Sequence, residues 1–390
     1  MSLAIALACL VVLLRRELLD RLVALSSFAS IYPSSATATA TAAAAASNIN
    51  AASSTNSTAG RIVGPDEPYI SGKRSFHIKD VADGDASGVE KTEYYLPADA
   101  GKASADAVQG VVLLAHGCKF KASVWWPRDE GCPECQGMPA EREIVRDLVR
   151  HGLVPVSLAP IANRKSSQCW ADGDKNIALE VVSRVYHSLN LSHTTPFYAL
   201  GIANGAIFVE RMACSSLTAR GGRNISAIAM MNGGIWHGVE DKTYPPLLFL
   251  CMSRNSDLCS HNNQTMHKLR GRGAEVRQVT FEPRPVTPDY FHAVGKVLPL
   301  HDSMRLQASL LQSSLLWPGS LIFIEDPLFG SYAQNIKKLV VAALPNLVPA
   351  LDSFKYPNSP LAQLFSLSWA FKETTEEASG EIVRWFRSHK

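Results

Sequence analysis

The feature that most constrains this sequence is a regular alternation of short apolar runs with stretches of helical periodicity, beginning at Gly110. Residues 111–115 form a continuous apolar run that ends at His116-Gly117, as expected for a strand buried on both faces. A helix is predicted over residues 139–150, because Pro139 suits a first helical turn and Gly152 suits a helix end. The alternation predicts an α/β fold with a mostly parallel central sheet flanked by helices.

Further elements continue this pattern along the chain. Strands are predicted at residues 153–159, 197–202, 225–231, 246–252 and 276–281, and helices at residues 174–189, 204–216, 256–270 and 376–388. Asp174 is expected to cap the first of these helices. Residues 283–367 are interrupted by prolines and read as an insertion, with helical fragments near 303–316 and 333–344. This insertion is either a cap over a ligand site or a plain packing element.

The first 60 residues differ in composition from the rest and are predicted to be a leader followed by a linker. Residues 3–14 form an apolar run of 12 residues, too short for a bilayer span of roughly 20 residues but typical of a signal peptide. Ser27-Phe28-Ala29 offers a small-residue cleavage site, although Arg15 and Arg16 follow the apolar run instead of preceding it. A transit peptide and an uncleaved membrane anchor remain alternatives. Residues 34–60 are of low complexity, which leaves residues 61–390 as the predicted α/β domain.

Charge, cysteines and sequons narrow the class of protein. Lysine and arginine exceed aspartate and glutamate by only 38 − 35 = 3, and the basic residues are scattered, so no nucleic-acid partner is expected. Four sequons fit a secreted glycoprotein, at Asn56, Asn190, Asn224 and Asn263. Beyond the leader lie seven cysteines, an odd number that predicts at least one thiol outside any disulfide: Cys118, Cys132, Cys135, Cys169, Cys214, Cys251 and Cys259.

The Cys132-Pro133-Glu134-Cys135 segment has three possible interpretations: a redox pair, half of a zinc site, or a source of structural disulfides. Because there is no second such motif and no histidine at ligand spacing, structural disulfides in an oxidising compartment are favoured. No metal and no cofactor is expected. The predicted location is the secretory pathway or the extracellular space, with an organelle as the alternative.

A glycine-flanked turn marks the candidate site. A strand that bends into a helix through Gly-x-Ser-x-Gly exposes the serine hydroxyl beside backbone N–H groups that hold an oxyanion. Here the turn reads Gly201-Ile202-Ala203-Asn204-Gly205, between a predicted strand and a predicted helix. Ala203 occupies the nucleophile position, and a methyl group cannot attack an ester. Asn204 lies one residue beyond the apex and is a poor nucleophile.

Several segments, taken in order, carry a resemblance to a known family. They are His116-Gly117-Cys118, residues 132–141, Gln168-Cys169-Trp170, the turn at residues 201–205, residues 245–249 and residues 285–291. From about residue 111 onward the chain resembles a group of largely uncharacterised plant and algal α/β-hydrolase-like proteins. The resemblance implies a serine, an acid after a late strand, and a histidine before the last helix, in that chain order.

The other two positions implied by the resemblance also carry altered residues. The acid position reads Asn255, and a neutral amide orients a histidine without stabilising its charge. Asp257 is two residues away and is a possible substitute. Lys372 stands where the resembling proteins carry histidine, and a lysine ammonium has no lone pair to accept a proton. The degenerate triad of Ala203, Asn255 and Lys372 predicts a protein that binds a ligand or partner without catalysis.

Two alternatives remain open. One is an active hydrolase of ester or other acyl bonds that uses a displaced constellation, Asp257 with His292 or His301, although each histidine also reads as an ordinary surface or core residue. The other is a surface glycoprotein whose pocket is filled by side chains. The predicted binding positions are His116, Gly117, Cys118, Gly201, Asn204 and Gly205. The expected ligand is small and apolar or acyl, and the membrane is reached only through an uncleaved leader.

Overall fold

The computed structural model describes residues 71–77, 91–97, 107–130, 132–161, 168–214, 224–236, 243–347 and 359–390. The predicted leader and linker, including the sequon at Asn56, lie outside these residues. The domain boundary at residue 61 therefore stays a prediction.

The described strands form one eight-stranded sheet in the order β1-β2-β4-β3-β5-β6-β7-β8. The strands are β1 (Ser71–His77), β2 (Lys91–Pro97), β3 (Gly110–Ala115), β4 (Leu153–Leu158), β5 (Phe197–Ile202), β6 (Ala227–Met231), β7 (Leu247–Met252) and β8 (Val276–Phe281). β2 pairs antiparallel with β1 and with β4, and every other pairing is parallel. The chain has the α/β-hydrolase fold.

Helices flank this sheet, as predicted. They are α1 (Pro139–Arg150), α2 (Asp174–Ser188), α3 (Asn204–Cys214), α4 (Ser256–Arg270), α5 (Tyr290–Ala293), α6 (Leu300–Gln312), α7 (Gly330–Ala343), α8 (Pro360–Trp369) and α9 (Ser379–Ser388). α5 to α8 lie in the predicted insertion, after β8. Because β3 to β8 run parallel, the loops after β3, β5, β6 and β7 meet at one edge of the sheet, here called the carboxyl edge.

The core sits on both faces of the central strands. β3, β4, β5, β6 and β7 are buried at every position, which explains why their sequences are continuous apolar runs. Tyr198 of β5 stacks on Phe386 of α9 at 4.8 Å between ring centroids, and Phe386 is fully buried. Burying one such side chain stabilises the fold by about 1.5–3 kcal/mol, so the last helix is firmly docked.

Several elements differ from the sequence predictions. β1 and β2 were not predicted, because neither of their sequences, SGKRSFH and KTEYYLP, contains a continuous apolar run. α8 was not predicted either, although its sequence carries helix-start signals. Ser359 caps it by accepting a hydrogen bond from the Ala362 N–H, and Pro360 occupies its first turn. Asp174 does not cap α2: it is the first helical residue, and its carboxylate accepts hydrogen bonds from the N–H groups of Ile161 and Ala171.

Three disulfides join described cysteines: Cys118–Cys169, Cys132–Cys135 and Cys251–Cys259. The Cys132-Pro133-Glu134-Cys135 segment is thus closed on itself, and Cys214 remains a thiol, with Sγ 3.8 Å from Oε1 of Glu210. Disulfides of this number fit an oxidising compartment. In the described part of the chain, no helix is both long enough and apolar enough to cross a membrane.

Candidate functional site

The turn between β5 and α3 has the backbone of a nucleophile elbow. Ala203 lies at its apex with φ 51°, a left-handed conformation that non-glycine residues seldom adopt, and its side chain is exposed. A Cβ on Gly205 would lie 2.6 Å from the carbonyl carbon of Ala115, and one on Gly201 would lie 2.5 Å from Cα of Ala206. Both glycines are therefore required by close backbone approach, and the elbow is complete except for its nucleophile.

Two backbone N–H groups beside the elbow are available to an acceptor. Among the described residues, neither the N–H of Asn204 nor that of Cys118 donates a hydrogen bond. Asn204 follows the apex directly. Cys118 follows Gly117, where a Cβ would lie 3.6 Å from Cβ of Ala203. These are the two chain positions from which an α/β-hydrolase elbow draws its oxyanion donors.

The tryptophan loop (residues 168–171) anchors the elbow from the side. Oδ1 of Asn204 accepts a hydrogen bond from the Trp170 N–H at 2.6 Å, and the Trp170 indole N–H donates to the carbonyl of His116 at 2.9 Å. The indole also stacks on Phe208 of α3, with ring centroids 4.3 Å apart. The Cys118–Cys169 disulfide joins the loop after β3 to the tryptophan loop. The Asn204 side chain is thus engaged with the tryptophan loop, which is joined to the elbow and to the loop after β3.

His116 is neutral near pH 7. Its ring is 1% exposed, and burial lowers its pKa to about 4, although the hydrogen bond to Gly117 opposes the shift. Nδ1 donates to the carbonyl of Gly117 at 2.7 Å, and Nε2 is buried without a hydrogen-bond partner. The imidazole therefore orders the loop after β3.

The expected acid position lies just after β7. Asn255 is 8% exposed, flanks the start of α4, and makes no side-chain cap for that helix. Asp257 is exposed in the first turn of α4, where a carboxylate interacts favourably with the helix dipole. The Arg254 N–H donates to the carbonyl of Ala370 at 3.1 Å, so this loop contacts the segment that carries Lys372.

The expected base position is exposed. Nζ of Lys372 lies 5.0 Å from the ring centroid of Phe371. The next residue, Glu373, accepts a 2.5 Å hydrogen bond at its carbonyl from Nδ2 of Asn232, which follows β6. The neighbouring Gly233 lies so close to the elbow that a Cβ there would be 3.1 Å from the carbonyl oxygen of Ala203. The loops that carry the three expected triad positions therefore meet at the carboxyl edge. No hydrogen bond or ion pair of the described residues joins Ala203, Asn255 and Lys372.

A buried carboxylate pair was missed by sequence reasoning. Glu141 of α1 and Glu373 are each 2% exposed. Nε2 of Gln363 bridges them, donating to Oε2 of Glu141 at 2.7 Å and to Oε1 of Glu373 at 3.3 Å. Burial, with the Glu141 charge as the next cause, raises the pKa of Glu373 to about 8, and burial also raises the pKa of Glu141. The pair therefore carries a proton at neutral pH.

The two histidines of the displaced constellation are engaged in local contacts. Nδ1 of His292 donates to the carbonyl of Leu298 at 2.9 Å. Nε2 of His301, an exposed side chain, lies 3.3 Å from Oδ1 of Asp302. Among the described residues, no hydrogen bond or ion pair connects either histidine to Asp257 or to the elbow, and the constellation stays a prediction.

No protein-family model and no curated protein matches the chain. Solved structures with a similar arrangement include a butyrate-bound thermophilic esterase from Thermogutta terrifontis, at 14% identity, 60% of this chain, 94% of that chain and TM-score 0.38. A carboxylesterase from Mesorhizobium loti matches at 14% identity, over 49% of this chain and 85% of that one, with TM-score 0.33. A thermostable esterase matches at 14% identity over 54% of each chain, about half of its own length, with TM-score 0.33.

These similarities are too low for any residue role to be transferred from the esterases. The fold assignment accordingly stands on the strand order and pairing of the sheet itself. The predicted resemblance to plant and algal proteins finds no support in the comparisons.

Proposed function

We propose that this chain is a non-catalytic α/β-hydrolase-like protein that binds a ligand or partner at the carboxyl edge. The observation that carries the proposal is the exposed methyl group of Ala203 at an otherwise complete elbow. A left-handed apex costs on the order of 1–3 kcal/mol, and such strain persists only where the surrounding structure imposes it.

The groups around the elbow lack the parts of a hydrolytic mechanism. Covalent acyl transfer needs a hydroxyl or thiol, a base to take its proton, and a group that orients the base. His116 is a poor base because burial holds its pKa near 4. Lys372 offers an exposed ammonium, and Asn255 offers an amide in place of a carboxylate.

The binding features, by contrast, are present. The N–H groups of Asn204 and Cys118 suit a carbonyl or carboxylate oxygen, which agrees with the small apolar or acyl ligand expected from the sequence. The disulfide and the tryptophan loop hold these donors in place before any ligand arrives, and such preorganisation lowers the entropic cost of binding.

Ester turnover by the full chain tests the proposal. We expect hydrolysis of 4-nitrophenyl acetate and butyrate to stay at the level of heat-denatured protein. The double variant Ala203→Ser, Lys372→His should gain turnover, whereas Ala308→Ser on the exposed face of α6 is the matched control and should gain none. Turnover by the parent that disappears in Asp257→Ala and in His292→Ala or His301→Ala would establish the displaced constellation instead.

A further inference from the structure

A cavity of about 480 Å³ that is broadly open to solvent lies beside the loops that carry Asn255 and Lys372. Its lining comes from the connection between β7 and α4, from the insertion, and from the end of α8: Ser253, Arg254, Ser256, Asp326, Trp369 and Phe371. The volume lies within the range of roughly 300–1,000 Å³ that is usual for small-molecule sites.

Arg254 is the side chain that points to a ligand. Its guanidinium carbon lies 3.5 Å from the centroid of the Trp369 ring, so the cation is stacked on the indole face. Within the described part of the chain, this guanidinium makes no ion pair and no hydrogen bond. Stacking uses the face of the guanidinium and leaves the N–H donors at its edge, the geometry that binds a carboxylate through two parallel hydrogen bonds.

The loop that carries Arg254 is fixed at both ends. The Cys251–Cys259 disulfide closes the segment that contains Ser253, Arg254 and Ser256. The Arg254 N–H donates to the carbonyl of Ala370 at 3.1 Å, which joins this segment to the end of α8. The backbone that carries Arg254 is therefore held in place before any ligand binds, while the exposed Arg254 side chain is positioned by its stacking on Trp369.

The charges and rings of the cavity define the chemistry of its occupant. Burial lowers the pKa of Arg254, and the nearby carboxylates of Asp326 and Glu282 raise it, so the guanidinium stays charged at neutral pH. Asp326 accepts the Leu328 N–H through Oδ1 at 2.9 Å, and a carboxylate has further acceptor sites. Phe371 adds an aromatic surface. The lining thus offers two hydrogen-bond donors for an anion, an acceptor for a hydroxyl, and a ring for stacking.

We propose that this cavity binds a small hydroxylated aromatic carboxylate, with its carboxylate on Arg254, its ring against Phe371 and its hydroxyl donating to Asp326. This inference deepens the proposed function and rests on it in one respect, that the ligand is bound and not cleaved.

Calorimetric titration of the full chain with three probes tests the assignment. 4-Hydroxybenzoate should bind most tightly, benzoate more weakly, and neutral 4-hydroxybenzamide roughly tenfold or more weakly than 4-hydroxybenzoate, since it lacks the charge. Arg254→Gln should weaken both carboxylates roughly tenfold and leave the amide unchanged. Asp326→Asn should remove most of the advantage of 4-hydroxybenzoate over benzoate. Arg272→Gln, beyond the opposite end of α4, is the matched control and should change nothing.

Three results would overturn the inference: no heat of binding at millimolar probe, equal affinity for the amide and the carboxylate, or full affinity in Arg254→Gln. Circular dichroism establishes that each variant is folded. The same preparations are assayed for ester turnover, so that failure of the proposed function can be distinguished from failure of this inference. If the parent hydrolyses esters but still binds the carboxylates, only the proposed function is wrong. If the parent hydrolyses no ester and binds no carboxylate, only this inference is wrong.

Discussion

At the elbow after β5, the backbone has the conformation used for acyl transfer, yet the apex is a methyl group. Around Glu141 and Glu373 the opposite holds, because two titratable carboxylates are present but both are 2% exposed and bridged by Gln363. The elbow has the backbone geometry of a nucleophile turn but no reactive side chain. The carboxylate pair has ionisable groups but is buried away from solvent. In this protein the geometry of a site and its titratable chemistry are therefore separate properties, and each can be altered alone.

The largest expected effect comes from a substitution that disrupts the backbone of the elbow. Gly205→Ala places a Cβ 2.6 Å from the carbonyl carbon of Ala115, a backbone atom that cannot move aside without shifting β3. We expect the free energy of unfolding to fall by about 3 kcal/mol or more, measured by urea titration. Gly319→Ala, where a Cβ meets nothing within 4 Å, should change it by less than about 0.5 kcal/mol. Equal effects at both glycines would contradict the close approach.

The second effect concerns the ionisable region. The pKa of Glu373 is about 8 in the folded chain and near its ordinary value when unfolded, so between those values the folded state binds the extra proton. The corresponding stability is fully present below the unfolded pKa and is lost as pH rises through about 8, with a slope of at most about 1.4 kcal/mol per pH unit. Thermal unfolding followed from pH 5 to 9 measures this slope.

Glu373→Gln should flatten the pH profile, because the neutral amide mimics the protonated acid. Glu325→Gln changes an exposed carboxylate and should leave the profile as it is. A parent profile that rises with pH over this range would contradict the proton uptake assigned to the pair.

A smaller effect is expected where the tryptophan loop meets the elbow. Asn204→Ala removes the acceptor of the 2.6 Å hydrogen bond from the Trp170 N–H. Loss of one such bond should lower the free energy of unfolding by about 1 kcal/mol in urea titration. Asn263→Ala, an exposed position on α4, is the matched control and should leave stability within about 0.5 kcal/mol. An unchanged free energy in Asn204→Ala would show that the bond does not anchor the loop.

The smallest effect has the opposite sign. Ala203→Gly should raise the free energy of unfolding by roughly 0.5–1 kcal/mol, because glycine adopts φ 51° without steric cost. In α6, Ala308→Gly should lower it by about 1 kcal/mol, since glycine is unfavourable inside a helix. Differential scanning calorimetry of the two variants separates the signs. Destabilisation at both positions would argue against a strained apex.

The sequence predicted the fold better than the site. β5, β8, α1 and α4 have the predicted bounds. β5 is buried at every position and therefore appears as an apolar run, and α1 begins at a proline. The glycine spacing likewise located the elbow. The carboxylate pair left no such signal, since Gln363 is 222 residues from Glu141, and a glutamate in a first helical turn looks the same whether it is exposed or buried. The same holds for the stacking of Arg254 on Trp369, which only the tertiary structure creates.

The central claim is that the elbow is formed but lacks a nucleophile. It is tested most directly by intact-mass spectrometry after exposure to a fluorophosphonate, comparing the parent with the Ala203→Ser, Lys372→His variant. The account predicts one adduct on the variant, mapped to residue 203 by peptide analysis, and none on the parent. An adduct on the folded parent, absent after heat denaturation, would contradict it by revealing an activated nucleophile elsewhere.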